Sequence, residues 1–157
     1  MKKTLKLFAS ILVLASLVAC GGGGGGDSSS GPTWAQTSGS DNVTTLTATD
    51  NVLGTGPAAV AGDTLTVNYT GYLYESTATN FEGQEFGSSS GTPFSFVIGA
   101  NQVIQGWDQG LLGMQVGGTR TLIIPSSMGY GATGNGSIPG GAALVFTVQL
   151  VGITPAQ

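Results

Sequence analysis

Seven aromatic side chains lie in separate segments of this 157-residue chain: Tyr69, Phe86, Phe94, Phe96, Trp107, Tyr130 and Phe146. Brought together, they would form either an ordinary core or an apolar pocket whose chemistry is the exclusion of water. Composition alone favours the core. Other constellations carry less. Gly129-Tyr130-Gly131-Ala132-Thr133-Gly134 matches the dinucleotide fingerprint G-x-G-x-x-G. That fingerprint works only between a strand and a helix N-terminus that receives the pyrophosphate, and the following Asn135-Gly136-Ser137-Ile138-Pro139-Gly140-Gly141 cannot open a helix. Glu82 and Glu85 are near enough for acid/base pairing, but in an expected hairpin loop with no apolar cleft they read as solvated charges. With no His and only one Cys, a catalytic His, a His/Cys zinc site and a structural disulfide are excluded.

A pocket needs elements to hold its walls, and most of the chain past residue 40 has a period of two. In Thr64 to Tyr74, Leu65, Val67, Tyr69 and Leu73 alternate with Thr64, Thr66, Asn68 and Thr70. The same alternation runs through Phe94, Phe96 and Ile98, through Leu122 and Ile124, and through Leu144, Phe146, Val148 and Leu150. A weaker Thr-rich strand is expected near Val43 to Thr49. Gly, Pro, Asn and Ser clusters bound each run, so five or six short strands of a largely antiparallel sheet are predicted. Only Gln102 to Met114 departs, with Val103, Ile104, Trp107, Leu111 and Leu112 at helical spacing. Gly106, Gly110 and Gly113 each cost about 1 kcal/mol against Ala in a helix interior, so this helix must be held by packing on the sheet. One domain with one core is expected.

The N-terminal residues have a different task. Lys2, Lys3 and Lys6 precede an apolar run from Leu7 to Val18, too short to span a bilayer at about 20 residues. Leu17-Val18-Ala19-Cys20 resembles the bacterial lipobox, which implies cleavage before Cys20 and acylation of its thiol. Residues 1–19 are therefore read as a lipoprotein signal peptide. Residues 20–40 are read as the lipidated Cys with a Gly/Ser-rich flexible tether, and 41–157 as the folded domain. Trp34 is read as an incidental exposed residue of that tether, so a chain starting at Ser40 is expected to fold as well as one starting at Gly21. Without the leader, Arg120 is the sole cation against eight carboxylates, a balance of −7 (1 − 8). Nucleic acid is thus a poor partner, since a phosphate backbone needs cations to replace its counterions. No cationic patch reinforces membrane contact, so the lipid must supply it.

The order of motifs decides between core and pocket. Val67-Asn68-Tyr69-Thr70-Gly71-Tyr72-Leu73 is followed by Phe86 and Ser88-Ser89, then Pro93-Phe94-Ser95-Phe96 and Val103-Ile104-Gln105-Gly106-Trp107-Asp108-Gln109-Gly110. Met114, Gly117, Tyr130-Gly131-Ala132-Thr133-Gly134, Ile138-Pro139 and Leu144-Val145-Phe146 complete the series. From about Leu53 to Gly152 this resembles the FKBP-type peptidyl-prolyl cis-trans isomerases. The resemblance implies an α+β fold, a half-wrapped antiparallel sheet around one short helix, with a pocket between them. It implies Trp107 as the pocket floor, Tyr69, Phe94, Val103, Ile104 and Phe146 as walls, and Phe86, Tyr130 and Ile138 as rim. It further implies the Ile104 N–H and the Tyr130 hydroxyl as donors to substrate carbonyls. No metal or cofactor is implied.

One departure bears on activity. The family expects Asp after the residue matching Phe86, and this chain has Gly87. The loop from Glu75 to Gln84 is longer than usual, and those from Ser88 to Thr92 and Asn135 to Ile138 are shorter. Two readings follow: a prolyl isomerase assisting the folding of exported proteins, or a weakened proline-binding module or chaperone. Either would bind proline-containing segments, with FKBP-directed macrolides as candidate ligands, as a monomer anchored in the cell envelope. The outer membrane, facing the periplasm or the cell surface, is the expected location.

Overall fold

The computed structural model describes residues 33–89 and 91–157. The expected signal peptide, Cys20 and the tether as far as residue 32 lie outside the described residues.

Two eleven-residue strands form the centre of the sheet. β2 (Thr64–Tyr74) pairs antiparallel with β6 (Leu144–Thr154), with Leu73 opposite Leu144 and Leu65 opposite Ile153. β5 (Thr119–Ile124) lies on the far side of β6, and β1 (Thr47–Val52) closes that edge. The other edge of β2 is shared. Its first residues pair with β4 (Phe94–Val97) and its last with β3 (Glu82–Ser88). All six strands run antiparallel to their neighbours, as expected.

The inner face buries Leu65, Val67 and Leu73 of β2, Leu122 and Ile124 of β5, and Leu144, Phe146, Val148 and Leu150 of β6. Against them lies the short helix α2 (Gln105–Gly110), with Trp107 and then Leu111 buried. It is shorter than the predicted Gln102 to Met114. Ile104 is extended (φ −61°, ψ 148°) and caps the helix, its carbonyl accepting the Trp107 N–H at 2.9 Å. Gly113, at φ +72°, turns the chain beyond its end. The glycines of α2 let it approach the sheet: a Cβ on Gly106 would strike Ile124, and one on Gly110 would lie 2.8 Å from Leu122 Cδ2. Their cost in propensity is offset by the burial that this close contact allows.

Four expectations need correction. The Thr-rich edge strand runs over Thr47–Val52 instead of Val43 to Thr49; every residue in it is exposed, so no burial period marked its ends. Glu82 and Glu85 sit on β3, opposite Tyr74 and Tyr72, and not in a hairpin loop. A second buried cluster, Tyr74, Ala143 and Val145 with Val43, Tyr72 and Ile123 around it, lies on the outer face. Phe81 covers this outer cluster by stacking on Tyr74 at 5.3 Å.

The fourth correction concerns the tether. Trp34–Ser38 form a helix, α1, that docks on the domain. The Thr33 N–H donates to Gln36 Oε1 at 3.0 Å and the Thr33 carbonyl accepts the N–H groups of Gln36 and Thr37, which starts the helix. Gly39, at φ +79°, ends it in the left-handed region. Trp34 packs against the main core and Ala35 is buried. A Cβ on Gly141 would lie 3.1 Å from the Ala35 methyl. The Ser76 N–H donates to the Ser38 carbonyl at 2.9 Å. One tryptophan and one alanine among polar residues bury enough surface, once a partner exists, to hold this turn.

Candidate functional site

α2 enters the inner face of the sheet at an opening where one turn of helix, four strands and two loops meet. Trp107, 4% exposed, is at the centre of the aromatic contacts. Its ring centroid is 5.2 Å from Tyr69 and 5.2 Å from Phe146, both edge-on. Phe96 lies 5.5 Å away and Phe94 6.3 Å. Phe86 meets Phe146 edge-on at 5.5 Å. These spacings and angles suit aromatic quadrupoles, which favour edge-to-face pairs over flat sandwiches. The Trp107 Nε1–H is buried with no acceptor among the described residues.

Above this floor is a cavity of about 330 Å³ lined by Tyr69, Phe86, Gly87, Phe94, Gln102, Val103, Ile104, Trp107, Tyr130, Ile138 and Phe146. No lining residue carries a charge. Phe94 is 41% exposed, so one wall opens to solvent. Tyr130 and Ile138 come from the same loop. Its neck is closed by Gly141 N–H donating to the Gly131 carbonyl at 2.9 Å, and its tip by reciprocal bonds between Asn135 and Ile138. Gly134 and Gly140 pass so close to this loop's own backbone, at the Ile138 and Ala132 carbonyls, that neither could carry a side chain. The G-x-G-x-x-G letters thus make a compact loop with no helix after it.

Hydrogen-bond donors surround the cavity. Burial, with a smaller contribution from neighbouring Tyr69, holds the Tyr130 hydroxyl above the ordinary phenol range, so it remains a protonated donor at neutral pH. The Ile104 N–H, on the extended residue that caps α2, has no acceptor among the described residues. An apolar enclosure with such donors can strip water from a neutral segment and still satisfy its carbonyls.

The model of the FKBP-type peptidyl-prolyl cis-trans isomerase family matches residues 56–151, which is most of the described chain. The chain belongs to this family.

Relatives agree with the match. FK506-binding protein 2B of Rhizopus delemar is 52% identical over 100 residues, covering 62% of this chain and 45% of that protein. FK506-binding protein 2 of Dictyostelium discoideum is 53% identical over 96 residues, covering 59% of this chain and 67% of that protein. Among solved structures, FkpA from Escherichia coli superposes with a TM-score of 0.61 at 37% identity, covering 71% of this chain and 49% of that one. The chain thus matches less than half the length of the Rhizopus relative.

All nine pocket residues expected from the FKBP resemblance line this one cavity: Tyr69, Phe86, Phe94, Val103, Ile104, Trp107, Tyr130, Ile138 and Phe146. Cys20, the expected lipidation site, lies outside the described residues. Gly87 stands in the cavity wall, and a Cβ built on it meets nothing within 4 Å. Sequence reasoning missed Gln102, which lines the mouth. Its only signal was its place directly before Val103-Ile104. It also gave Asp108 no role of its own. Asp108 is buried and accepts the Gly99 and Asn101 N–H groups at 2.8 and 3.0 Å, which fixes the turn leading into the cavity.

Proposed function

We propose that this chain catalyses cis/trans isomerisation of X-Pro bonds in other proteins and binds macrolides of the FK506 type in the same cavity. The observation that carries this reading is the convergence of nine aromatic, aliphatic and donor-bearing residues on one uncharged cavity over Trp107. The barrier to rotation is about 18–20 kcal/mol because resonance stabilises the planar amide. That planar state is more dipolar than the twisted one. Moving the bond from water into the aromatic cavity therefore raises the ground state more than the transition state. The Tyr130 hydroxyl and the Ile104 N–H hold the flanking carbonyls during rotation. Uncatalysed X-Pro exchange takes tens to hundreds of seconds, so even moderate acceleration matters to a folding chain.

The same proposal makes the chain a lipoprotein of the cell envelope, processed before Cys20, that assists the folding of exported proteins. Intact mass spectrometry should find loss of Met1 to Ala19 with added acyl mass, and Cys20→Ala should leave the precursor uncut. The activity is tested by a coupled assay of proline-peptide isomerisation on the full chain in detergent. Acceleration well above the spontaneous rate is expected.

A proline-binding module without much rate is the second reading, and Gly87 favours it. The space beside it is open, and no carboxylate reaches the cavity from the wall. Gly87→Asp should raise the rate if a carboxylate there aids rotation. Ligand binding that quenches or shifts Trp107 fluorescence, with no acceleration, would establish the module reading. Absence of both binding and acceleration would remove both.

A further inference from the structure

The cavity presents several hydrogen-bond donors and no carboxylate. Tyr69 and Tyr130 present hydroxyls, Ile104 presents a backbone N–H, and among the lining side chains only Gln102 has an amide. The orientation of that amide is fixed by its partner. The Val97 N–H donates to Gln102 Oε1 at 2.9 Å, so the oxygen is engaged and the NH2 group is left over for a ligand. That NH2 group carries two donors and has no acceptor among the described residues. The residue itself is held in place. Asp108, buried on α2, accepts the Asn101 N–H at 3.0 Å, and Asn101 sits at φ +55°, so the chain is turned directly before Gln102.

We propose that Gln102 is a substrate-recognition residue whose side-chain NH2 donates to a backbone carbonyl of the bound segment flanking the proline. This rests on the reading of the cavity as a proline-segment site and extends it. Proline has no N–H, so a segment centred on it presents more carbonyls than N–H groups. A wall of donors with no unengaged amide or carboxylate acceptor matches that imbalance.

Two reciprocal variants separate this role from a structural one. Gln102→Glu keeps an acceptor for the Val97 N–H and loses the donor. Gln102→Lys keeps a donor and loses the acceptor. Each full chain is titrated with a neutral proline peptide, with binding read from Trp107 fluorescence and KM and kcat read from the coupled assay. Measurements at two salt concentrations remove long-range charge effects. Gln102→Glu should weaken binding about fivefold, in the range of one hydrogen bond, with the change in KM and not in kcat. Gln102→Lys should bind more tightly than Gln102→Glu at both salt levels. Equal losses in the two variants, or a larger loss in Gln102→Lys, would mean that Gln102 acts only by pinning Val97, and would overturn the proposal. Binding that responds to Gln102→Glu while no chain accelerates isomerisation would remove the enzyme reading and leave this one standing. Absence of binding by the unsubstituted chain would remove both.

Discussion

The two tryptophans of this chain belong to or pack against the same core, and each buries an indole N–H with no acceptor among the described residues. Their surroundings differ. Trp107 sits in a segment with apolar residues at helical spacing, touches four other aromatic rings and floors a cavity. Trp34 sits in a five-residue helix between polar residues and lines no part of that cavity. An unsatisfied indole costs about 1–3 kcal/mol at either place. At Trp107 the ring is part of the cavity lining, while at Trp34 only burial offsets the cost. On the proposed function, the same residue type would serve rate in one region and stability in the other.

Substitution at the floor should break the comparison most severely. Trp107→Ala removes the centre of the aromatic cluster and should cost about 3–5 kcal/mol of stability, with loss of measurable acceleration. Denaturant titration and the coupled assay read the two effects. Phe146→Ala keeps the floor and opens one wall. It should cost less stability than Trp107→Ala, and it should still lower both peptide affinity and rate.

Trp34→Ala should cost about 1–3 kcal/mol, since the ring is only partly buried, and lower the melting temperature by several degrees. A chain starting at Ser40 should lose as much or more. The rate of the folded fraction should remain within about twofold of the unsubstituted chain. A rate that falls in step with the removal of Trp34 would erase the distinction between the two regions.

Tyr130→Phe keeps the ring and deletes one donor, so affinity for a proline peptide should drop by the roughly 0.5–1.5 kcal/mol of one hydrogen bond, with no change in melting temperature. The smallest effect should come from the strut between β1 and α2. Arg120 donates to both carboxylate oxygens of Asp50, at 2.6 and 3.0 Å, and to the Gly110 and Leu112 carbonyls at the end of the helix. Hydrogen bonding from Arg120 lowers the Asp50 pKa below its usual value. A depressed carboxylate pKa adds stability above the unfolded-state value near 4, and this is lost as pH falls through the lower folded value. Asp50→Asn should remove that acid-side loss, at a cost near neutral pH of about 1 kcal/mol for a partly exposed surface pair.

The sheet was legible because burial enforces alternation: Leu65, Val67 and Leu73 had to face one way, and β2 followed. Edges were less legible. β1 is exposed along its whole length, so nothing in its side chains marked where it starts. β3 was hidden because Glu82, Gly83, Gln84 and Glu85 have no apolar period, and backbone pairing to β2 holds them. The pocket could be read because its residues recur in a family order, a signal that periodicity lacks. Gln102 and Asp108 escaped for the opposite reason. Their roles depend on which way an amide and a carboxylate turn, and that is decided by N–H groups several residues away, at Val97, Gly99 and Asn101. Trp34 escaped because a single turn of helix has too few residues to show a period.

The docking of α1 also sets a length. Were the chain free as far as Ser40, 20 residues would separate the domain from Cys20, a contour of about 70 Å at 3.3–3.6 Å per residue. Because the chain is already seated at Thr33, 13 residues remain, and the contour falls to about 45 Å. With the lipid proposed at Cys20, the near side of the domain could not rise further than this above the headgroups. Its clients would be met close to the membrane, and undocking α1 would extend that reach by more than half.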